Sequence, residues 1–341
     1  MKSDILRHYT EEFRLHRDIR GDDAEPLFDA IISEPDESIL SDLLTEWITK
    51  GHSENELFAL ARVMRSRMRR IETSREDLVD IVGTGGSRSK TFNVSTAAAF
   101  VVAGAGISVA KHGNRAATSN AGSADALTLL GVSADASPET ALECLNELGM
   151  CFMFATRHHS LSPTLAKVRR ELGKPTIFNN LGPLCNPAGA AFQLIGVWDH
   201  HVLGKTAGAL SRLGTKRSWI VHGDNGLDEI ALDCTTRVSA VNAGKVAELT
   251  ITSVDFGVNS NGSELPRNLP AEESATLIEK ILEDKQKDTT AEALVLINAA
   301  AAIYLAGKAD DLPSAFQMAT ESIRNGSAKA KLHAMRKATN R

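Results

Sequence analysis

Between Leu78 and Gly223, short apolar runs alternate with longer helical segments, and this alternation constrains the fold more than any other feature. "LVDIV", "ISVAKHG", "MCFMFA", "FQLIGVW" and "RSWIVHG" are apolar almost throughout, as strands covered on both faces must be. Between them, "STAAAFVVAGAG", "SADALTLLG", "SPETALECLNELG", "LSPTLAKVRRELG" and "HVLGKTAGALSRLG" carry helical spacing. Parallel strands cannot be joined by a tight turn and need a crossover, here a helix. The expectation is an α/β fold with a mainly parallel central sheet. "RVSAVNAGKVAELTIT" reads as a hairpin turning at Asn242-Ala243-Gly244.

The flanks are helical. "EPLFDAIISEP", "SILSDLLTEWITKG" and "SENELFALARVMRSRMRR" place apolar residues three and four apart, with Ser53 and Glu56 forming a capping box. The C-terminal part returns to helices, among them "AEALVLINAAAAIYLAG". The expected division is a small helical domain over 1–72, with helical returns from about 160–190, and a larger α/β domain over 73–341. With 341 residues the chain can bury such cores, and its 5% aromatic content with many Ala and Gly suits closely packed helices on a sheet.

Charge and cysteine usage narrow the function. A net charge of −5 argues against binding to a nucleic-acid duplex, which needs a basic face, but allows a basic pocket for a small anion. Cys144, Cys151, Cys185 and Cys234 form neither a C-x-x-C pair nor a zinc spacing, so they read as thiols in a reducing compartment. "MKSDILRHYTEEF" lacks an apolar signal core, and no run reaches the roughly 18 apolar residues of a membrane span. A cytoplasmic protein without a membrane partner is expected.

Four stretches carry chemistry. In "DIVGTGGSRSKTFNVST" a strand meets Gly83-Thr84-Gly85-Gly86, then the cations Arg88 and Lys90, then a helix starting near Asn93 to Thr96. Glycines allow close backbone approach, and free N–H groups at a helix start attract an anion. The loop fits phosphate or pyrophosphate, although a glycine-rich turn alone also serves as a simple tight turn. "KHGNRAATSNAGS" follows the next strand and adds Lys111, His112, Asn114, Arg115, Thr118, Ser119 and Ser123. Loops after the C-termini of parallel strands converge on one crevice, so both line one site. In "GLDE", Asp228 and Glu229 offer hard oxygen ligands for Mg²⁺, or form a solvated acidic turn. In "RHHSLSPTLAKVRRELGKPTIFNNLGPLCNPA", Arg169 can pair with a carboxylate, and a sharp turn is expected at Gly182-Pro183.

Together with "GSAD" and "NAAAAIYLAGKADDL", these stretches resemble the anthranilate phosphoribosyltransferase family from about residue 25 to 335. The resemblance implies a nucleoside phosphorylase-like fold, with the site between a helical and an α/β domain. It implies a homodimer formed through the helical domain. The implied reaction moves the phosphoribosyl group of phosphoribosyl pyrophosphate to the amino group of anthranilate, in tryptophan biosynthesis. By position, the donor would be bound by Gly83, Gly86, Ser87, Thr91, Asn93, Val94, Ser95, Thr96, Lys111, His112, Gly113, Asn114, Arg115, Ser119 and Ser123. Gly83, Asn114, His112, His159, Arg169 and Pro183 would serve anthranilate, and Ser95, Asp228 and Glu229 would hold Mg²⁺, two ions per site. No covalent nucleophile is implied.

The chain departs from the family pattern at Ser87-Arg88, where Asp-Gly is usual, at His159-Ser160-Leu161, where His-Pro-Ala is frequent, and at Asn120-Ala121, where Lys-Ser is usual. A related transferase with another aromatic acceptor, or a non-catalytic binding protein on this fold, are the alternatives at this stage.

Overall fold

A computed structural model describes residues 2–86, 91–115, 122–259 and 264–341. Seven strands form one sheet: β1 (Val79–Gly83), β2 (Val109–Gly113), β3 (Met150–Phe154), β4 (Phe192–Gly196), β5 (Arg217–Gly223), β6 (Thr236–Asn242) and β7 (Lys245–Ile251). Their order is β3-β2-β1-β4-β5-β6-β7. The first five run parallel and the last two are antiparallel. The strand order reverses between β1 and β4, the place where ligands bind in open α/β sheets. The final hairpin closes on the two residues Ala243 and Gly244, both at positive φ, with Asn242 and Lys245 as the paired flanks. That is the turn geometry which matches strand twist.

Two apolar cores flank this sheet. The larger surrounds the helices Val94–Gly104 and Thr290–Leu305, both buried nearly all round. Their alanines let helix and sheet backbones approach closely, as an evenly apolar helix requires. The second core joins the helices Lys2–Arg14, Ala24–Ser33, Glu37–Lys50 and Glu54–Arg67 to Pro163–Leu172, Ile177–Leu184 and Leu203–Arg212. Val82, Ile195, Val197 and Ile220 extend the sheet into it.

Beyond the three N-terminal helices that the sequence pattern predicts, the structure adds the helix Lys2–Arg14. It inserts Leu6, Tyr9 and Phe13 into the second core, and Phe13 stacks on Trp47 at 4.7 Å between ring centres. Burying each such side chain contributes about 1.5–3 kcal/mol. Gly182-Pro183 is not a turn either: both residues lie inside the helix Ile177–Leu184. A capping box between Thr176 and Asn179 starts that helix, and Pro183 falls in its last turn, where its fixed φ still suits a helix.

Candidate active site

A cavity of about 890 Å³ opens at the C-terminal ends of the parallel strands. β1 ends in Gly83, and an added Cβ there would lie 3.1 Å from the Asp228 carboxylate. On the neighbouring β4 an added Cβ at Gly196 would lie 1.6 Å from the Asp228 carbonyl oxygen. The two strand-end glycines therefore leave room for the turn that carries Asp228 and Glu229. Thr91 Oγ1 donates to Glu229 Oε2 at 3.3 Å, tying that carboxylate to the segment after the glycine loop.

β2 supplies the cation. Lys111 is buried, and its Nζ donates to the Ile81 carbonyl and to Ser95 Oγ at 3.2 Å. Burial pushes its ammonium down to about 8, opposed by the carboxylates of Asp80 and Glu229. Burial likewise pushes Asp80 up to about 6, against the pull of Lys111 and the hydrogen bonds from Asn186 and the His112 amide. At neutral pH the two therefore face each other with opposite charge. Arg115 pairs with Asp125 at 3.2 Å and lies over the Phe154 ring.

On the side of the second core the lining changes character. His112 and His159 lie 5.1 Å apart between ring centres, beside Met64, Leu161, Phe178 and Pro183. Burial holds His112 well below its ordinary value and His159 at about 4, so both rings are neutral at pH 7. Among the described residues, His112 Nε2 and both nitrogens of His159 meet no well-aligned hydrogen-bond partner. Arg169 is a half-buried cation over the Phe178 ring, with Nε likewise unpartnered there, and desolvation lowers it to about 10. A half-buried guanidinium with an unused Nε donor beside a flat apolar lining suits an aromatic acid.

Of the residues picked out by sequence, the cavity gathers Gly83, Gly86, Thr91, Asn93, Ser95, Lys111, His112, Gly113, Asn114, Arg115, Ser123, His159, Arg169, Pro183, Asp228 and Glu229. Val94 and Thr96 do not line it: they turn into the core, fully buried, from the helix Val94–Gly104. Nor are the N–H groups at that helix start simply free. Those of Asn93, Val94 and Thr96 donate to Ser274 Oγ, the Phe92 carbonyl and the Asn93 carbonyl. Ser87, Arg88, Lys90, Thr118, Ser119, Asn120 and Ala121 lie outside the described residues. Reading the sequence missed Asn179, Lys174, Pro175 and Phe178, which also line the cavity. The spacing of Thr176 and Asn179 was the available signal, since it marks a helix start rather than a loop.

Residues 75–329 match the family described as "Glycosyl transferase family, a/b domain". The anthranilate phosphoribosyltransferase of Bordetella pertussis is 42% identical over 93% of this chain and 92% of its own length. That of Moorella thermoacetica is 43% identical over 86% of both. The crystal structure of the Thermus thermophilus enzyme of this name superposes with a TM-score of 0.88 at 36% identity, covering 98% of this chain and 99% of its own. The Saccharomyces cerevisiae enzyme, solved in complex with PRPP and Mg, gives 0.88 at 25% identity, over 99% of this chain and 98% of its own. The parallel sheet, the cavity at its strand ends and relatives matched over nearly their whole length agree: the chain belongs to the anthranilate phosphoribosyltransferase family.

Proposed function

We propose that this cavity is where the chain transfers the phosphoribosyl group from phosphoribosyl pyrophosphate to the amino group of anthranilate, releasing pyrophosphate, in tryptophan biosynthesis. The observation that carries this reading is the joining of two unlike linings in one cavity. One holds Lys111, Ser95, Asp228 and Glu229 for a phosphorylated donor. The other holds Arg169, Phe178 and two neutral histidines for an aromatic acid. Full-length relatives carrying this enzyme name, and a relative solved with PRPP and Mg, support it.

Carboxylate and hydroxyl oxygens are the donors that Mg²⁺ prefers, so Asp228, Glu229 and Ser95 fit the ion. We assign it to them, with two ions per site. Bound there, Mg²⁺ would supply charge neutralisation at the departing pyrophosphate. Lys111 adds a fixed positive charge on the same side. The acceptor is a neutral arylamine, which needs orientation more than activation. Arg169 would grip its carboxylate while Phe178 and Pro183 flank the ring. Thiol attack has no support here, since burial raises Cys151 strongly and Cys185 to about 12.

The helical segment 1–72 with the returns at 160–190 is proposed as the smaller domain and as the surface of a homodimer, in the cytoplasm. Ser160 and Leu161 line the cavity where the family often has Pro-Ala, which favours, as a second reading, an acceptor of different shape. The test is the loss of anthranilate fluorescence on mixing with protein, phosphoribosyl pyrophosphate and Mg²⁺, beside a metal-free control. Metal-dependent loss is expected. Calorimetric binding of the donor without any loss of fluorescence would leave the donor site standing and overturn the acceptor.

A further inference from the structure

Asn179 stands between the two linings and bonds to both. Its Oδ1 accepts from the Thr176 amide at 3.0 Å and from Arg169 Nη2 at 3.3 Å. Its Nδ2 donates to the Thr84 carbonyl at 3.2 Å. These neighbours determine which way the amide points: turned over, its nitrogen would face two donors and its oxygen a carbonyl. Thr84 is itself anchored, with its amide donating to the Gly196 carbonyl at 2.9 Å and its Oγ1 accepting from the Trp198 amide at 3.3 Å. It leads directly into Gly85 and Gly86, both at positive φ. A second contact joins the same two segments, because a Cβ at Gly86 would lie 2.6 Å from Pro175 Cγ. The link between the helices of Arg169 and Asn179 is thus packed on the glycine loop by a side-chain hydrogen bond and by a proline.

From this we infer that Asn179 is a positioning residue that couples the occupied state of the glycine loop to the aim of Arg169, so that each substrate tightens the binding of the other. The inference rests on the assignments of the loop to the donor and of Arg169 to anthranilate. A phosphate held at Gly85 and Gly86 fixes the Thr84 carbonyl, that carbonyl fixes the Asn179 amide, and the amide holds the guanidinium from behind. Arg169 keeps Nε for an acceptor carboxylate. Coupling of this kind is reciprocal, since both ligands bias the same arrangement.

The experiment measures anthranilate dissociation constants by fluorescence, with and without pyrophosphate plus Mg²⁺, in the wild type, Asn179→Asp and Asn179→Ala. Asp keeps the acceptor for Arg169 and Thr176 but cannot donate to Thr84. In the wild type, pyrophosphate with Mg²⁺ is expected to lower the constant by about fivefold or more. In both variants that ratio is expected to fall close to one, whatever their basal affinity. With pyrophosphate shown to bind by calorimetry, a wild-type ratio of one, or an unchanged ratio in the variants, overturns the coupling while leaving both binding assignments intact; no pyrophosphate binding overturns the donor assignment instead. Absence of any anthranilate binding in the wild type overturns the acceptor reading instead. If one variant fails to fold, the wild-type ratio and the other variant still decide.

Discussion

At the scale of single residues, function here depends on where backbone is allowed to come close. Gly196 has no room for a methyl group, because the Asp228 carbonyl occupies the place of its Cβ. Gly196→Ala is therefore expected to displace the Asp228 turn and to lower stability by about 1–3 kcal/mol, read from urea unfolding. Asp228→Asn combined with Glu229→Gln keeps shape and removes charge. It is expected to reduce Mg²⁺-dependent kcat by about 10²-fold or more while the circular dichroism spectrum stays unchanged. An unaltered kcat would remove the metal role from this pair. Arg169→Ala is expected to raise the KM for anthranilate far more than that for the donor. Equal increases would mean that its guanidinium does not hold the acceptor. Which residues line the cavity was largely legible at this scale, because glycines, paired carboxylates and cations are informative as residue types. Their partners were not: nothing in "IFNN" says that the first Asn reaches Thr84, which lies 95 positions earlier in the chain.

At the scale of elements, the boundary between β1 and β2 is unusual. β1 pairs with β4 from Val79 to Gly83, but with β2 its register runs through Val79 and Val109. Beyond that pair, side chains replace ladder bonds. Asp80 accepts from the His112 amide at 3.2 Å, Asn186 Nδ2 donates to the Ala110 carbonyl at 2.8 Å, and Lys111 Nζ donates to the Ile81 carbonyl. Asn186 Nδ2 also donates to Asp80 at 2.8 Å, closing the network. Asp80→Ala would leave the buried Lys111 ammonium and the His112 amide unbalanced, and is expected to cost about 3–5 kcal/mol in urea unfolding. A loss below about 1 kcal/mol would show that water replaces the carboxylate. The sequence marks Asp80 only as a polar interruption in an apolar strand. Gly182-Pro183 predicts a turn because Gly-Pro ordinarily breaks helices; the capping box of the helix Ile177–Leu184 and its packing in the second core outweigh that preference.

At the scale of the whole molecule, burial of histidine sets the response to acid. His52 and His159 are both pushed down to about 4, chiefly by desolvation. Between pH 6.5 and 4 the unfolded chain binds protons at these rings and the folded chain does not. Stability therefore falls as pH falls through that window, by up to about 1.4 kcal/mol per pH unit for each ring. Asp80, raised to about 6, acts in the opposite direction over part of the range, since there the folded state holds the extra proton. Two rings outweigh one carboxyl, so the urea midpoint is expected to drop from pH 7 to pH 5, and His159→Gln to flatten the slope. A midpoint independent of pH would show that the rings are hydrated in solution.

The parallel sheet, its crossover helices, the final hairpin and many of the residues that line the cavity follow from the sequence alone. Apolar period, glycine placement and residue type are local properties, and local properties can be read along a chain. Tertiary structure decided three things that no local pattern encodes. It turned Val94 and Thr96 away from the cavity, because the helix Val94–Gly104 must bury its sheet-facing side. It drew the N-terminal helix Lys2–Arg14 into the second core, because Leu6, Tyr9 and Phe13 find partners only across the fold. It joined the glycine loop to Arg169 through Asn179, because a hydrogen bond depends on distance in space and not on separation along the sequence.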